Sequence, residues 1–380
     1  MIQPATVWPA LHEAQRAVLI ELIVRGSQPR VELARTLGLS RTSLTRLTKE
    51  LMELGFIEEG ESQLRASRGR PPELIDVVKD SAHFFGVKLT GDALYAVVTN
   101  LGSEVVDTRE VPLVDRDVAS VVQLIARTSE EMLAAYPRPG AIGVCLAGDV
   151  EAFDGVDHII GSSFLGWDDP VPLARLVSQA TGLPATVSND VQALTAAHHW
   201  FGVGVGRRSL VVIAVGAGSG SGIVVADDLV TGAHARQGKI GHIIIDAEGD
   251  RRCPLGHRGC AGALVSMPGI AQNAGAGAND YAEVLERARG GDERASAAFR
   301  DAATSLGAIT AQFVNVLDPE KVIITGEGID MVELARGRFE QSYSDHLDAR
   351  AARDVEIDVH AFQFAHYAWG AAITAIRARV

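Results

Sequence analysis

At 380 residues with 47% apolar side chains, the chain is long enough for two or three domains with substantial cores. No uninterrupted apolar stretch reaches the length of a membrane span, no charged-then-apolar leader opens the chain, and three cysteines suggest no disulfide framework, so a reducing cytoplasm is expected. The net charge of −13 is unevenly spread: residues 1–75 hold ten Lys and Arg against nine Asp and Glu, the remainder 25 against 39, so any contact with a polyanion should be confined to residues 1–75.

In chain order, residues 11–25 set Leu11, Ala14, Val18, Leu22 and Arg25 at helical steps, and Gly26-Ser27 ends that helix. Residues 31–37 give a shorter helix, Gly38 the turn, and Ser40 an N-cap for a third helix. Leu44, Leu47, Leu51 and Leu54 recur at steps of three and four, which predicts one inward stripe. Arg41, Thr42, Ser43, Thr45, Arg46, Thr48 and Lys49 are left on the other face, and these are side chains that bond base edges and phosphates. The pattern is that of a DNA-reading helix-turn-helix; a plain surface hairpin of helices is the alternative. Residues 56–60 read as a wing strand and Gln63-Leu64-Arg65 as its return. Arg68-Gly69-Arg70-Pro71-Pro72 then reads as an extended arm suited to a narrow, negative minor groove, or as a solvated linker. The expected division is a winged head over 1–75 and a linker over 76–83.

From Phe84 onward strands alternate with helices. Residues 84–89, 93–99 and 104–107 predict a meander, 118–135 a helix, 141–146 a buried strand, 171–181 a helix, and 185–190 a strand running into a helix start. Residues 210–215 and 222–226 are strands around a glycine-rich bend, 321–325 is a late strand, and 368–379 a closing helix. Two successive α/β segments suggest two lobes with a cleft between them, 84–195 with 365–380, and 196–364.

Four stretches bear on chemistry. Asn189-Asp190 leaves a strand end, where Asp190 could act as a general base and Asn189 grip a polyol, although Asn-Asp also simply caps helices. Residues 216–222, Gly-Ala-Gly-Ser-Gly-Ser-Gly, could cradle a phosphate or form a tight hairpin. His242, Cys253 and Cys260 have the texture of a metal site, with His257 inside the cysteine loop as a possible fourth ligand. Gly326-Glu327-Gly328 follows the late strand and could approach a nucleotide or open a helix.

Taken in this order, these residues resemble the ROK family, which groups sugar-responsive repressors with sugar kinases. The resemblance rests on Trp167 after Phe164-Leu165-Gly166, on Asn189-Asp190, on Ile240-Gly241-His242, and on the Cys253 loop ending Arg258-Gly259-Cys260. Members with such a head resemble the xylose and N-acetylglucosamine repressors. The resemblance implies an actin-like (ribonuclease H-like) two-lobed α/β body, a dimer or tetramer, and a final helix folded back onto the first lobe. It also exposes departures. Where family kinases carry an Asp-x-Gly-x-Thr loop, this chain has Lys88-Leu89-Thr90-Gly91-Asp92, and Lys88 cannot ligate magnesium, so neither ATP nor magnesium is expected and Asp190 becomes a degenerate kinase base. Lys239 and Gly262 stand where the family has Glu, and Phe164 where it has Asn. The ligand residues left are Asn189, Asp190, Lys239 and His242. Lys239 suits an anionic group, as in a sugar phosphate or sugar acid, or else pairs with Asp190 or another carboxylate. Leu255 replaces the middle cysteine of the family's zinc loop, so zinc on His242, Cys253 and Cys260 needs His257 or water, and otherwise the loop is held by its own packing.

The expected function is a DNA-binding transcriptional regulator, a repressor rather than an enzyme, bound as a dimer to a palindromic double-stranded operator. Arg46 and Lys49 are placed on phosphates, Arg41, Thr42, Ser43 and Thr45 on base edges, and Arg68 and Arg70 in the minor groove. The alternatives are a sugar kinase with an accessory head and a ligand-independent DNA-binding scaffold.

Overall fold

The computed structural model describes residues 8–60, 74–153, 155–350 and 355–380. By compactness the chain divides into two units, residues 1–206 with 364–380, and residues 207–363.

The first unit opens with α1 (Glu13–Arg25), β1 (Gln28–Pro29), α2 (Arg30–Thr36), α3 (Arg41–Glu53), β2 (Ile57–Gly60) and β3 (Leu74–Val77). A reciprocal cap starts α1: the Gln15 amide donates to the His12 ring while the His12 amide donates to the Gln15 side chain. Ser40 accepts the Ser43 amide at 3.1 Å and so caps α3. Gly38, at φ +63°, makes the intervening turn in a conformation that suits glycine. The strands form one small sheet in the order β1-β3-β2, with Ile57 opposite Val77 and Gly60 opposite Leu74. The strand paired with β2 is thus Leu74–Val77, whereas Gln63-Leu64-Arg65 and the Arg68 and Arg70 arm fall outside the described residues. Residues 76–83 differ from the expected linker: they finish β3, make a 3-10 turn at Lys79–Ser81 and begin the next strand. The alternation Leu74-Ile75-Asp76-Val77, with Ile75 and Val77 buried, is the strand pattern behind this difference.

The first lobe follows, with β4 (His83–Leu89), β5 (Ala93–Asn100), β6 (Val105–Pro112), α4 (Val118–Leu133), β7 (Pro139–Leu146), β8 (Val150–Phe153), β9 (Val156–Ile159), α5 (Leu173–Thr181), β10 (Ala185–Asn189) and α6 (Asp190–Trp200). Its sheet runs β10-β7-β4-β5-β6. The first three strands are an antiparallel meander, and β7 and β10 join parallel on the other side of β4. Every residue of β4 is buried, as expected of a central strand covered on both faces. All of α6 belongs to this unit, so the division follows Gly206 rather than the expected residue 195.

The second unit repeats the scheme. It contains β11 (Leu210–Val215), β12 (Ser219–Val225), β13 (Asp228–Leu229), α7 (Gly262–Val265), α8 (Met267–Asn273), α9 (Tyr281–Arg289), α10 (Glu293–Leu317), β14 (Lys321–Thr325), α11 (Asp330–Leu334), α12 (Arg336–His346) and β15 (Glu356–Val359). The order β13-β12-β11-β14-β15 again joins an antiparallel meander to two parallel strands. This is the ribonuclease H-like arrangement, present once in each unit. The 25-residue α10 is the longest helix among the described residues and was not among the expected elements. It buries Ala295, Ala298, Phe299, Ala302, Ala303, Leu306 and Ile309 in the unit's core.

The last helix, α13 (Phe364–Arg379), returns to the first unit and packs on β4 and β7, as the resemblance implied. The approach is backbone to backbone: a Cβ on Gly86 would overlap the Ala368 carbonyl oxygen, and one on Gly143 the Ala371 carbonyl oxygen. Neither side can yield, because both are main chain in regular structure. Gly143→Val is therefore expected to destabilise the protein by about 3 kcal/mol or more. A denaturant melt followed by circular dichroism checks this, and an unchanged midpoint would refute the close approach.

Candidate functional site

In the head, Leu44, Leu47 and Leu51 are almost completely buried, so the α3 stripe faces inward. Arg41, Thr42, Thr45, Arg46 and Lys49 are exposed, and Ser43 is half-buried with its hydroxyl 2.8 Å from that of Ser40. Thr48 is a correction to the sequence reading: it is fully buried and donates to the Leu44 carbonyl at 3.0 Å, so it is not on the polar face. A threonine at a stripe-flanking position can satisfy its hydroxyl on the preceding turn and go under. Arg46 lies 3.9 Å from Glu50 and Lys49 3.8 Å from Glu53, solvent-exposed pairs that cost little to exchange for phosphate.

In the first lobe, the buried Lys88 at the end of β4 makes an ion pair with the buried Asp190 at the start of α6. The other Asp190 oxygen accepts the Val191 amide at 2.9 Å. The Lys88 ammonium also lies 4.5 Å from the centre of the Tyr367 ring, a cation–π contact. Lys88 is thus a cation on Asp190 that the sequence alone does not reveal. Asn189 is the N-cap of α6: its Oδ1 accepts the Val191 amide at 2.9 Å and the Gln192 amide at 3.4 Å, and its Nδ2 donates to the Gly148 carbonyl at 3.1 Å. Both carboxylate oxygens of Asp190 and the amide of Asn189 are thus engaged by the protein. Phe164 is 49% exposed. Burial pushes the Cys145 thiol up, and it donates to the Tyr367 carbonyl at 3.2 Å.

The other expected ligand residues belong to the second unit. Lys239 is exposed, ahead of a 3-10 turn at Ile240–His242. His242 joins Cys253, His257 and Cys260 in one cluster whose ligand atoms all lie within 4.8 Å of one another. Its Nδ1 is 3.7 Å from the Cys253 sulfur, and its ring meets that of His257 edge to face at 5.5 Å. A tight turn assembles the loop: the Cys253 amide donates to the His257 carbonyl and the Gly256 amide to the Cys253 carbonyl, with Gly256 at φ +81°. Burial acts to raise the Cys253 thiol, but the Leu255 and His257 amides and the Cys260 thiol outweigh it and hold it below its ordinary value. Leu255 is 67% exposed, and His257 completes the set of four.

The glycine-rich bend is a hairpin. Residues 219–222 are already in β12, Val215 pairs with Ser219, and the Gly216 amide donates to the Gly218 carbonyl at 2.8 Å. The Glu327 carboxylate lies against Gly216, so closely that a side chain there would collide with it. The sequence reading missed this contact, although a carboxylate between two glycines at a presumed phosphate approach was its visible sign.

A winged helix-turn-helix followed by two ribonuclease H-like units defines the architecture of a DNA-binding head on a sugar-kinase-like body. The ROK family profile matches residues 84–378, and a winged helix-turn-helix DNA-binding profile matches residues 11–58. The chain therefore belongs to the ROK family. It is 25% identical over 318 residues to the xylose repressor of Caldicellulosiruptor bescii, covering 78% of each chain. It is 28% identical over 266 residues to the glucokinase of Halalkalibacterium halodurans, covering 64% of this chain and 79% of that one. Among solved structures, a ROK family transcriptional regulator described as a homologue of Escherichia coli Mlc superposes with a TM-score of 0.79, 24% identity and 95% coverage of both chains.

A buried ion pair is most costly when halved. Lys88→Met is expected to lower stability by about 3–5 kcal/mol, and adding Asp190→Leu to recover most of that loss. Denaturant midpoints of the two variants check this, and equal midpoints for Lys88→Met and the unaltered chain would show that the pair contributes nothing.

Proposed function

We propose that the protein is a cytoplasmic transcriptional regulator, a repressor of carbohydrate-related genes, that binds a palindromic operator as a homodimer or homotetramer and answers to a sugar, sugar phosphate or sugar acid without phosphorylating it. The observation that carries the reading is the exposed polar face of α3 over a buried leucine stripe. Arg41, Thr42, Ser43 and Thr45, toward the helix start, suit base edges, Arg46 and Lys49 suit phosphates, and Arg68 and Arg70 suit the adjacent minor groove. Support for a body that does not transfer phosphate comes from Lys88 on Asp190, which leaves no free base, and from Glu327 at the hairpin, whose charge opposes a phosphate.

Zinc is the metal that His242, Cys253, His257 and Cys260 suit, as two imidazoles and two thiolates form a closed tetrahedral donor set. A closed set is structural: the ion would cross-link the turn of the loop to residue 242 and leave no position for substrate.

Selection of binding duplexes by the full-length protein should enrich a palindrome. Arg41→Ala should then weaken binding by about 1–3 kcal/mol and relax the preference at one base pair, while Lys49→Ala should weaken all sequences alike and flatten the salt dependence. Arg70→Ala should weaken the preference for A/T flanks. Failure to enrich any sequence would sink the DNA reading, and magnesium- and ATP-dependent turnover of a sugar that disappears in Asp190→Asn would replace it with a kinase. Metal analysis of the purified chain should find about one zinc per protomer, reduced in His257→Ala and restored when Leu255→Cys is added. A metal-free chain with an unchanged melting temperature in the presence of zinc would exclude the ion.

A further inference from the structure

In the second unit a cavity of about 600 Å³ opens where α9, α10 and the α11–α12 corner meet. Its volume falls within the range of about 300–1,000 Å³ common for small-molecule sites. Three arginines line it, Arg300 on α10 and Arg336 and Arg338 in the first turn of α12, and no Asp or Glu is among the lining residues. That composition runs against the charge of its surroundings, since residues 76–380 carry 39 acids to 25 cations. The cations differ in how far they are already engaged. Arg300 pairs with Glu293, Arg336 reaches Glu340 only at 4.0 Å, and Arg338 makes no ion pair among the described residues. The eleven-residue α12 starts without a side-chain cap, so the positive end of its dipole adds to the same corner. The large apolar side chains of the lining are Leu334, 39% exposed, and the almost wholly buried Phe299.

We propose that this cavity binds a small organic oxyanion, a phosphate ester or carboxylate whose carbon skeleton rests on Phe299 and Leu334 while Arg336 and Arg338 grip the charged end. Guanidinium groups suit this role because their planar forks bond two oxygens of one phosphate or carboxylate together. The site is separate from Asn189, Asp190 and the metal cluster, and it stands whether or not the head binds an operator.

The test is calorimetric titration of the full-length protein with glucose 6-phosphate, phenyl phosphate, benzoate and inorganic phosphate, with glucose as the neutral control. Saturable binding of at least one organic oxyanion is expected, and any binding of glucose should be the same in the arginine variants as in the unaltered chain. Affinity should fall tenfold or more in Arg336→Ala/Arg338→Ala, fall less in Arg338→Lys, and be unchanged in Arg127→Ala, which removes an exposed arginine of α4. The two arginines are exposed, so the variants should keep the native melting temperature; if the double variant does not, Arg338→Gln alone provides the comparison. Preference for the phosphates or for benzoate identifies the oxyanion. No binding by any probe up to about 10 mM overturns the proposal. So does binding that survives loss of the arginines, or that is lost in Arg127→Ala instead.

Discussion

The contact of α13 with β4 and β7 is the constraint on which the first lobe depends. Helix and sheet touch through main chain at Gly86 and Gly143, so the small residues Ala368, Ala371 and Ala372 can seat directly on the strands. That seating fixes what else the helix carries. Tyr367 arrives beside Lys88, and its carbonyl accepts the Cys145 thiol from the neighbouring strand. Gly370 in turn approaches the backbone of α6 at Ala193, next to the helix start that bears Asp190. The ion pair is therefore held by three elements whose separation is set by the absence of side chains. Larger residues at the glycines would displace the groups around Lys88 before touching it.

The two ends of the fold were legible for different reasons. The head declared itself because one short helix carries both its signals, a leucine stripe with a capping serine and an uninterrupted polar face. The first-lobe strands declared themselves as apolar runs bounded by turns. What escaped was structure whose logic is tertiary. The 25-residue α10 is rich in alanine, which favours helix but leaves little contrast between faces, and its burial depends on being surrounded. β3 was hidden behind Pro71 and Pro72, which punctuate the sequence just before four residues that complete the head's sheet. At the site, the departure at Lys88 was visible in sequence, but its partner was not. Residues 88 and 190 are 102 positions apart, and only the tertiary fold of the first unit brings them together. His257 was equally undecidable on spacing alone; the turn at Gly256 is what folds it toward Cys253 and Cys260.

Two local arrangements complete the chemistry around these residues. In the cysteine loop Leu255 is exposed, and the imidazole two positions on brings the donor number to four. Near the end of β4 the Lys88 ammonium makes Asp190 half of a neutral pair, and the Glu327 carboxylate puts negative charge beside the Gly216 hairpin.

The head does not hang on a tether. Trp8, Phe56 and the α1 and α3 leucines belong to the same apolar core as Phe84, Ala141, Trp200 and Ile376 of the lobe. Arg138 donates to the Leu54 carbonyl at the end of α3, and Arg379 stacks 5.3 Å from Trp8. Orientational freedom that a beads-on-a-string arrangement would surrender on meeting a ligand is here surrendered once, during folding. The aim of α3 relative to the first lobe thereby becomes a property of the folded chain, as stiff as its hydrophobic core, and any movement of that lobe must carry the reading helix with it.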